Sequence, residues 1–133
     1  MLHYWKSGKQ KIAYDTASGA IVPLTSLEYK MIQAITPPLA PLCSSSLRYE
    51  LAKYDSADVE EAYTRIYDLF SHGIIFSDAA VSRPRIRIGG EFGLKNTDDP
   101  AKEIIQLLDG QTPEWIIETG TDEEIVAHIL SLC

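Results

Sequence analysis

The stretch QKIAYDTASGAIVPLTSLEYKMIQAI, residues 10–35, decides the fold. It begins with a strand pattern, turns at residues 16–19 and continues into a second strand over 20–24. Gly19 suits the turn because glycine tolerates a positive φ. Pro23 lacks an amide hydrogen, which restricts its strand to the edge of a sheet. This stretch therefore predicts an antiparallel strand pair with one open edge.

Helical patterns follow this edge strand. Thr25 and Glu28 have the spacing of a capping box, and apolar residues then recur at helical intervals. A short helix is predicted over 47–54, and a longer one with a wide apolar face over 56–72. With a first strand over residues 2–6, LHYWK, the order is three strands and then three helices. This order predicts an α+β fold: a winged helix-turn-helix, with a three-stranded antiparallel sheet followed by three helices.

Charge divides the chain into two predicted domains. Residues 1–88 contain ten Lys and Arg against nine Asp and Glu, whereas residues 89–133 contain two Lys against ten Asp and Glu. The net charge of −7 therefore belongs to the second part, which carries −8. That part is predicted to be an acidic helical extension, with helices over 99–110, over 112–120 and after Thr121.

Several classes of protein are disfavoured by composition. No apolar run approaches the ~20 residues of a membrane span, and no signal-peptide pattern opens the chain, which favours a cytoplasmic protein. Two cysteines, Cys43 and Cys133, form no metal-ligand pattern, and the three histidines are scattered. No nucleophile elbow or phosphate-binding loop is present. We therefore expect a non-catalytic protein without a metal or another cofactor.

The open edge is the first candidate functional site. It is expected to lie beside the helix over 56–72, whose Tyr63 and Tyr67 have the amphipathic character of groove-lining residues. A peptide would add to this edge as a strand through main-chain hydrogen bonds. The alternative is that the acidic C-terminal third covers the edge.

An arginine stripe is the second candidate. Arg83, Arg85 and Arg87 alternate with apolar residues, which is strand periodicity. The stripe is either a solvated strand face or a source of electrostatic steering for an acidic segment. That segment would be a partner peptide or the acidic tail of this chain.

Three segments carry a family resemblance: YDTASG at 14–19, the stretch 21–35, and VEEAYTRIYDLFSHGIIF at 59–76. Together they resemble the PqqD-like RiPP recognition element, the leader-peptide-binding module at the N-terminus of radical SAM peptide maturases. The resemblance covers about residues 1–80. It implies that a leader peptide adds beside the third strand and packs on the third helix. The peptide-binding residues it implies are Ala20, Ile21, Val22, Tyr63, Ile66, Tyr67 and Phe70.

The resemblance also implies partners. A radical SAM enzyme needs three cysteines for its cluster, and this chain has two. The expected protein is therefore an adaptor that binds a precursor leader peptide and presents it to a maturation enzyme. That enzyme, a radical SAM protein for example, acts in trans or belongs to the same full-length chain. Residues 89–133 match no family in this interpretation.

Two other functions compete with peptide recognition. A winged helix can bind DNA, but a recognition helix facing phosphates needs Lys and Arg. The predicted exposed positions of the third helix carry three carboxylates and one arginine, which disfavours nucleic acid as a partner: Glu60, Glu61, Thr64, Arg65, Asp68 and Ser71. The remaining alternative is a protein–protein assembly module that uses the acidic tail.

Overall fold

The computed structural model describes residues 1–78, 82–94 and 98–131, with side chains except at 98 and 99. Its strands are β1 (Leu2–Ser7), β2 (Gln10–Asp15), β3 (Ile21–Leu24), β4 (Arg85–Ile88) and β5 (Glu114–Ile117). Its helices are α1 (Ser26–Ala34), α2 (Ser45–Glu50), α3 (Ser56–Ser71), α4 (Asp98–Leu107) and α5 (Glu123–Ser131).

The first three strands form an antiparallel sheet in the order β1-β2-β3. Ala13 of β2 lies opposite Val22 of β3, and Lys11 opposite Leu24. Helices α1, α2 and α3 follow directly in sequence. The predicted α+β class, with a three-stranded antiparallel sheet followed by helices, is confirmed.

The entry into α1 has the predicted capping box. Thr25 Oγ1 accepts a hydrogen bond from the Glu28 amide at 3.1 Å, and the Thr25 amide donates to Glu28 Oε1 at 2.8 Å. These bonds satisfy two amides that a helix start otherwise leaves without a partner. They also fix the chain direction between β3 and α1.

Both faces of this sheet are buried. Ala13 and Val22 pack in a core formed with the three helices. Ile12, Tyr14 and Ile21 lie on the opposite face, in a second core with β4, α4 and α5. Since successive strand residues point to opposite faces, the nearly continuous burial of β2 follows from this double packing.

The second core is organised by a parallel pair, β4 and β5, with α4 between them in sequence. The predicted helix over 112–120 is therefore wrong, since Glu114–Ile117 is a strand. Trp115 and the β-branched Ile116 and Ile117 favour extended backbone, and β4 supplies the hydrogen-bonding partner. The predicted domain boundary, between residues 88 and 89, lies between the two strands of this pair.

Strand β4 is attached to the turn between β2 and β3. The Arg85 amide donates to the Thr16 carbonyl at 2.8 Å, and the Arg87 amide donates to the Gly19 carbonyl at 3.0 Å. The buried Tyr14 hydroxyl donates to the Arg85 carbonyl at 2.6 Å. Burial, together with the nearby Asp15 carboxylate, raises the pKa of Tyr14, so its hydroxyl remains a donor.

Asp15 organises the turn from inside. It is fully buried, and its Oδ1 accepts from the Ala17 and Ser18 amides at 2.8 and 3.1 Å. Oδ2 accepts from the Ser77 amide at 2.9 Å, beyond the end of α3. The Ser18 hydroxyl donates to the Ile74 carbonyl at 2.6 Å. One carboxylate therefore connects the turn to the segment that follows α3.

In the part of the chain that the structure describes, no helix has both the length and the apolar composition of a membrane span.

Replacing Asp15 with Asn is expected to lower the free energy of unfolding by about 2 kcal/mol, because the amide nitrogen of Asn cannot accept a bond from a buried N–H. Urea denaturation followed by circular dichroism measures the change. Asp122→Asn is the matched control, since exposed Asp122 accepts one helix-start amide and Asn caps equally well. The free energy of unfolding of Asp122→Asn is expected to stay within about 0.5 kcal/mol of the wild-type value. Equal stability of Asp15→Asn and wild type would contradict this account of the turn.

Candidate functional site

The outer edge of β3 offers few free hydrogen-bonding groups. The Ile21 amide points away from β2 and donates to the Phe92 carbonyl at 2.7 Å. By strand alternation the backbone of Pro23 points the same way, but proline has no amide hydrogen. The Pro23 carbonyl accepts from Arg65 Nη2 at 3.3 Å. Residues near Phe92 therefore already lie against one end of this edge.

A groove runs between this edge and α3. It consists of two cavities, of about 760 and 540 Å³, that share Glu61 and Arg65 on their walls. The larger one extends to Pro23 and Leu24 of β3 and to the first turn of α1. The smaller one extends along α3 to Phe92. The apolar residues that line the groove are Pro23, Leu24, Leu27, Ala62, Leu69 and Phe92.

Arg65 links the three elements around the groove. Its Nη1 forms an ion pair with Glu28 Oε2 at 2.7 Å, and its Nη2 contacts the Pro23 carbonyl. The Glu28 side chain is only 5% exposed, and its carboxylate is paired with Arg65 and accepts a hydrogen bond from the Thr25 amide. Arg65 therefore holds α3 against both the capped start of α1 and the edge of β3.

The strand residues that the resemblance implicates are in the sheet next to this groove. Ala20, Ile21 and Val22 are all buried, so their side chains belong to the two cores. The outward-facing backbone is that of Ile21, whereas the backbone of Val22 faces β2. Of the three, Ile21 is the residue whose main chain is placed to meet an added strand.

The helix residues that the resemblance implicates lie on another side of α3. Tyr63 and Ile66 are buried in the first core, and the Tyr63 hydroxyl donates to the Ala40 carbonyl. Burial raises the pKa of Tyr63. Tyr67 and Phe70 are half-buried, with ring centroids 6.3 Å apart. None of these four side chains lines either cavity of the groove.

The α3 residues that do line the groove recur at helical spacing, on the border between the polar and apolar faces. They are Asp58, Glu61, Ala62, Thr64, Arg65, Asp68 and Leu69. Their periodicity was visible in sequence, but a wide apolar face has two borders. The contact of Arg65 with the Pro23 carbonyl shows which border faces β3.

The arginine stripe is largely paired within the chain. Arg85 Nε lies 3.4 Å from Glu114 Oε2, and Arg87 Nη1 lies 2.7 Å from Glu118 Oε1. Arg87 Nε also donates to the Ser18 carbonyl at 2.9 Å. Arg83 is exposed. Two of the three arginines therefore contact carboxylates of the acidic C-terminal third.

Across the described ranges, no group of three or more His, Cys, Asp and Glu side chains is placed to hold a metal ion. Cys43 is buried within the first core and has a free thiol.

No protein-family model matches the chain, and a search of curated proteins finds no match.

Arg65→Met is expected to lower the free energy of unfolding by about 1–2 kcal/mol, because it leaves the buried Glu28 carboxylate without its cation. The matched control is Arg48→Met, since Arg48 pairs with Glu60 across an exposed surface. That control is expected to cost less than about 0.5 kcal/mol. Urea denaturation of both variants tests the difference. Equal losses would show that the Arg65 contact contributes no more than a surface ion pair.

Proposed function

We propose that this chain is a peptide-binding module that holds a leader peptide in the groove between β3 and α3 and presents it to a modifying enzyme. The single observation that carries the proposal is the groove itself, which has an apolar floor beside a sheet edge. The groove lies between the two elements that the PqqD-like resemblance implicates, the third strand and the third helix, although other side chains of these elements line it. The order of the first six elements agrees with a winged-helix arrangement. An extended chain fits such an edge as an added strand.

The hydrogen bond between Ile21 and Phe92 indicates how a peptide would add to β3: it would take the place of Phe92 at the Ile21 amide. The Phe92 carbonyl already accepts from the outward amide of β3, as a peptide carbonyl would. Phe92 also packs against the first core. A peptide that pairs with Ile21 therefore replaces Phe92, and the free energy of moving Phe92 lowers the apparent affinity.

The loop that carries Phe92 is held by backbone hydrogen bonds between its ends and by the close approach of Gly93 to Gly89. The Gly89 amide donates to the Leu94 carbonyl at 2.8 Å, and the Leu94 amide donates to the Arg87 carbonyl at 2.8 Å. A Cβ atom on Gly93 would lie 2.1 Å from the Gly89 carbonyl oxygen, so no larger residue fits this loop as it stands. A side chain at position 93 would therefore force this loop into another conformation.

The charge of α3 favours a peptide over DNA. Glu61, Thr64 and Asp68 are exposed, whereas Arg65 is paired with Glu28. A helix that entered the major groove with this surface would bring carboxylates to the phosphates. A peptide has no such uniform negative charge.

Thr64→Trp is expected to weaken peptide binding at least roughly tenfold, because exposed Thr64 lines the groove and an indole would fill it. The probe is a fluorescein-labelled peptide selected from a displayed random 12-residue library on the wild-type chain, and fluorescence anisotropy measures its affinity. Ser71→Trp on the same helix is the control, since exposed Ser71 does not line the groove. Equal affinity for both variants and wild type would exclude the groove as the binding site.

Gly93→Ala is expected to strengthen binding of the same peptide several-fold, because the clash with Gly89 moves Phe92 away from the Ile21 amide. Gly110→Ala is the control for glycine replacement away from the groove: its φ of +82° strains an alanine backbone, but a Cβ there meets no atom within 4 Å. Circular dichroism shows whether both variants keep the fold. Unchanged or weaker binding by a folded Gly93→Ala protein would contradict replacement of Phe92 by the peptide.

A further inference from the structure

The charge on the walls of the groove is one-sided. Among the described residues that line its two cavities, the carboxylates are Glu28, Asp58, Glu61, Asp68 and Glu91. Arg65 is the one basic residue in the same set. Because Arg65 is paired with Glu28, four carboxylates remain without a basic partner on the groove walls.

These carboxylates are spread along the groove. Asp58 lines the larger cavity, Glu61 lines both, and Asp68 and Glu91 line the smaller one. At the far end of the larger cavity, Lys30 and Lys53 stand over the Tyr54 ring, with Nζ atoms 5.8 and 5.4 Å from its centroid. These lysines offset the carboxylates at the Tyr54 end, whereas Arg65 is the one basic residue among the described residues that line the smaller cavity with Asp68 and Glu91.

The floor between the carboxylates is apolar. Leu24 and Leu27 contribute from the strand and α1 side, Leu69 from α3, and Phe92 from the loop. Alternating side chains of an extended segment would place apolar groups on this floor and the intervening groups at the rim. A rim of carboxylates attracts cationic groups and repels anionic ones.

We propose that the groove selects a cationic peptide segment, in which Lys or Arg alternates with apolar residues and the basic side chains lie at the Asp68 and Glu91 end. This inference depends on the proposed function, because it specifies the chemistry of the peptide that the same groove binds. It gives the peptide the opposite charge to the acidic partner peptide, one of the two alternatives that the arginine stripe suggested. An acidic segment has little to gain there, because Arg85 and Arg87 already contact Glu114 and Glu118.

The exposure of the groove carboxylates limits how much their charge can contribute to peptide affinity. Asp68 and Glu91 are exposed, so each contributes a modest and salt-sensitive attraction. Several such carboxylates acting on two or three basic side chains are expected to change affinity roughly 5- to 20-fold at physiological salt. Most of the remaining affinity must come from the apolar floor, which the charge does not affect.

The test selects a displayed random 12-residue library on three forms of the chain. These forms are wild type, the groove variant Asp68→Asn/Glu91→Gln, and the control Glu50→Gln/Glu123→Gln. The control alters two exposed carboxylates outside the groove and carries the same net charge as the groove variant. It therefore separates local attraction from the general attraction of basic peptides to an acidic protein. The leading wild-type peptide is then compared with its Lys/Arg→Gln analogue by fluorescence anisotropy.

Peptides enriched in Lys and Arg are expected from the wild type and from the control, and this enrichment should be lost on the groove variant. The Gln analogue is expected to bind the wild type roughly 5- to 20-fold more weakly than the parent peptide. Enriched peptides that are neutral or acidic, or basic peptides enriched equally on the groove variant, would overturn the inference while leaving peptide binding in place. Failure of all three folded proteins to enrich any peptide would instead overturn the proposed function together with this inference.

Discussion

The buried Asp15 carboxylate is the interaction on which the rest of the structure depends. It orders the turn between β2 and β3 through backbone amides and reaches Ser77 beyond α3. The ordered turn presents the Thr16 and Gly19 carbonyls to β4, which then carries β5 and the second core. Because a buried carboxylate must keep its donors, this one side chain couples the helices on one face of the sheet to the β4–β5 layer on the other.

The packing of both sheet faces explains why the outer edge of β3 is partly occupied. A sheet covered on both faces can receive another strand only at an edge, and the connection after β4 passes Phe92 along the edge of β3. Pro23 and Arg65 occupy the other end. What remains is a groove whose apolar floor and acidic rim are contributed by β3, α1, α3 and the loop that carries Glu91 and Phe92. Affinity for a peptide would therefore depend on side-chain pockets as much as on main-chain hydrogen bonds.

Local signals in the sequence predicted most of the first half of the fold. The capping box of Thr25 and Glu28, the turn at 16–19 and the position of Pro23 each act over a few residues, and each is present in the structure. Strand β5 was missed because its partner is nearly thirty residues away, and parallel pairing leaves no hairpin signal. The groove wall was also missed, because tertiary contacts such as that of Arg65 with the Pro23 carbonyl decide which border of α3 faces β3. The resemblance indicated β3 and α3, the two elements that flank the groove, but the side chains it implicated do not line the groove.

The most direct test of the account is a map of amide chemical-shift changes in the ¹⁵N-labelled chain during titration with a library-selected peptide. The groove predicts that the changes concentrate in β3, in the first turn of α1 and along α3 between Asp58 and Leu69. The Ile21 amide should shift strongly as its acceptor changes from Phe92 to the peptide. Changes confined to the β4–β5 layer, with β3 and α3 unaffected, would contradict the central claim.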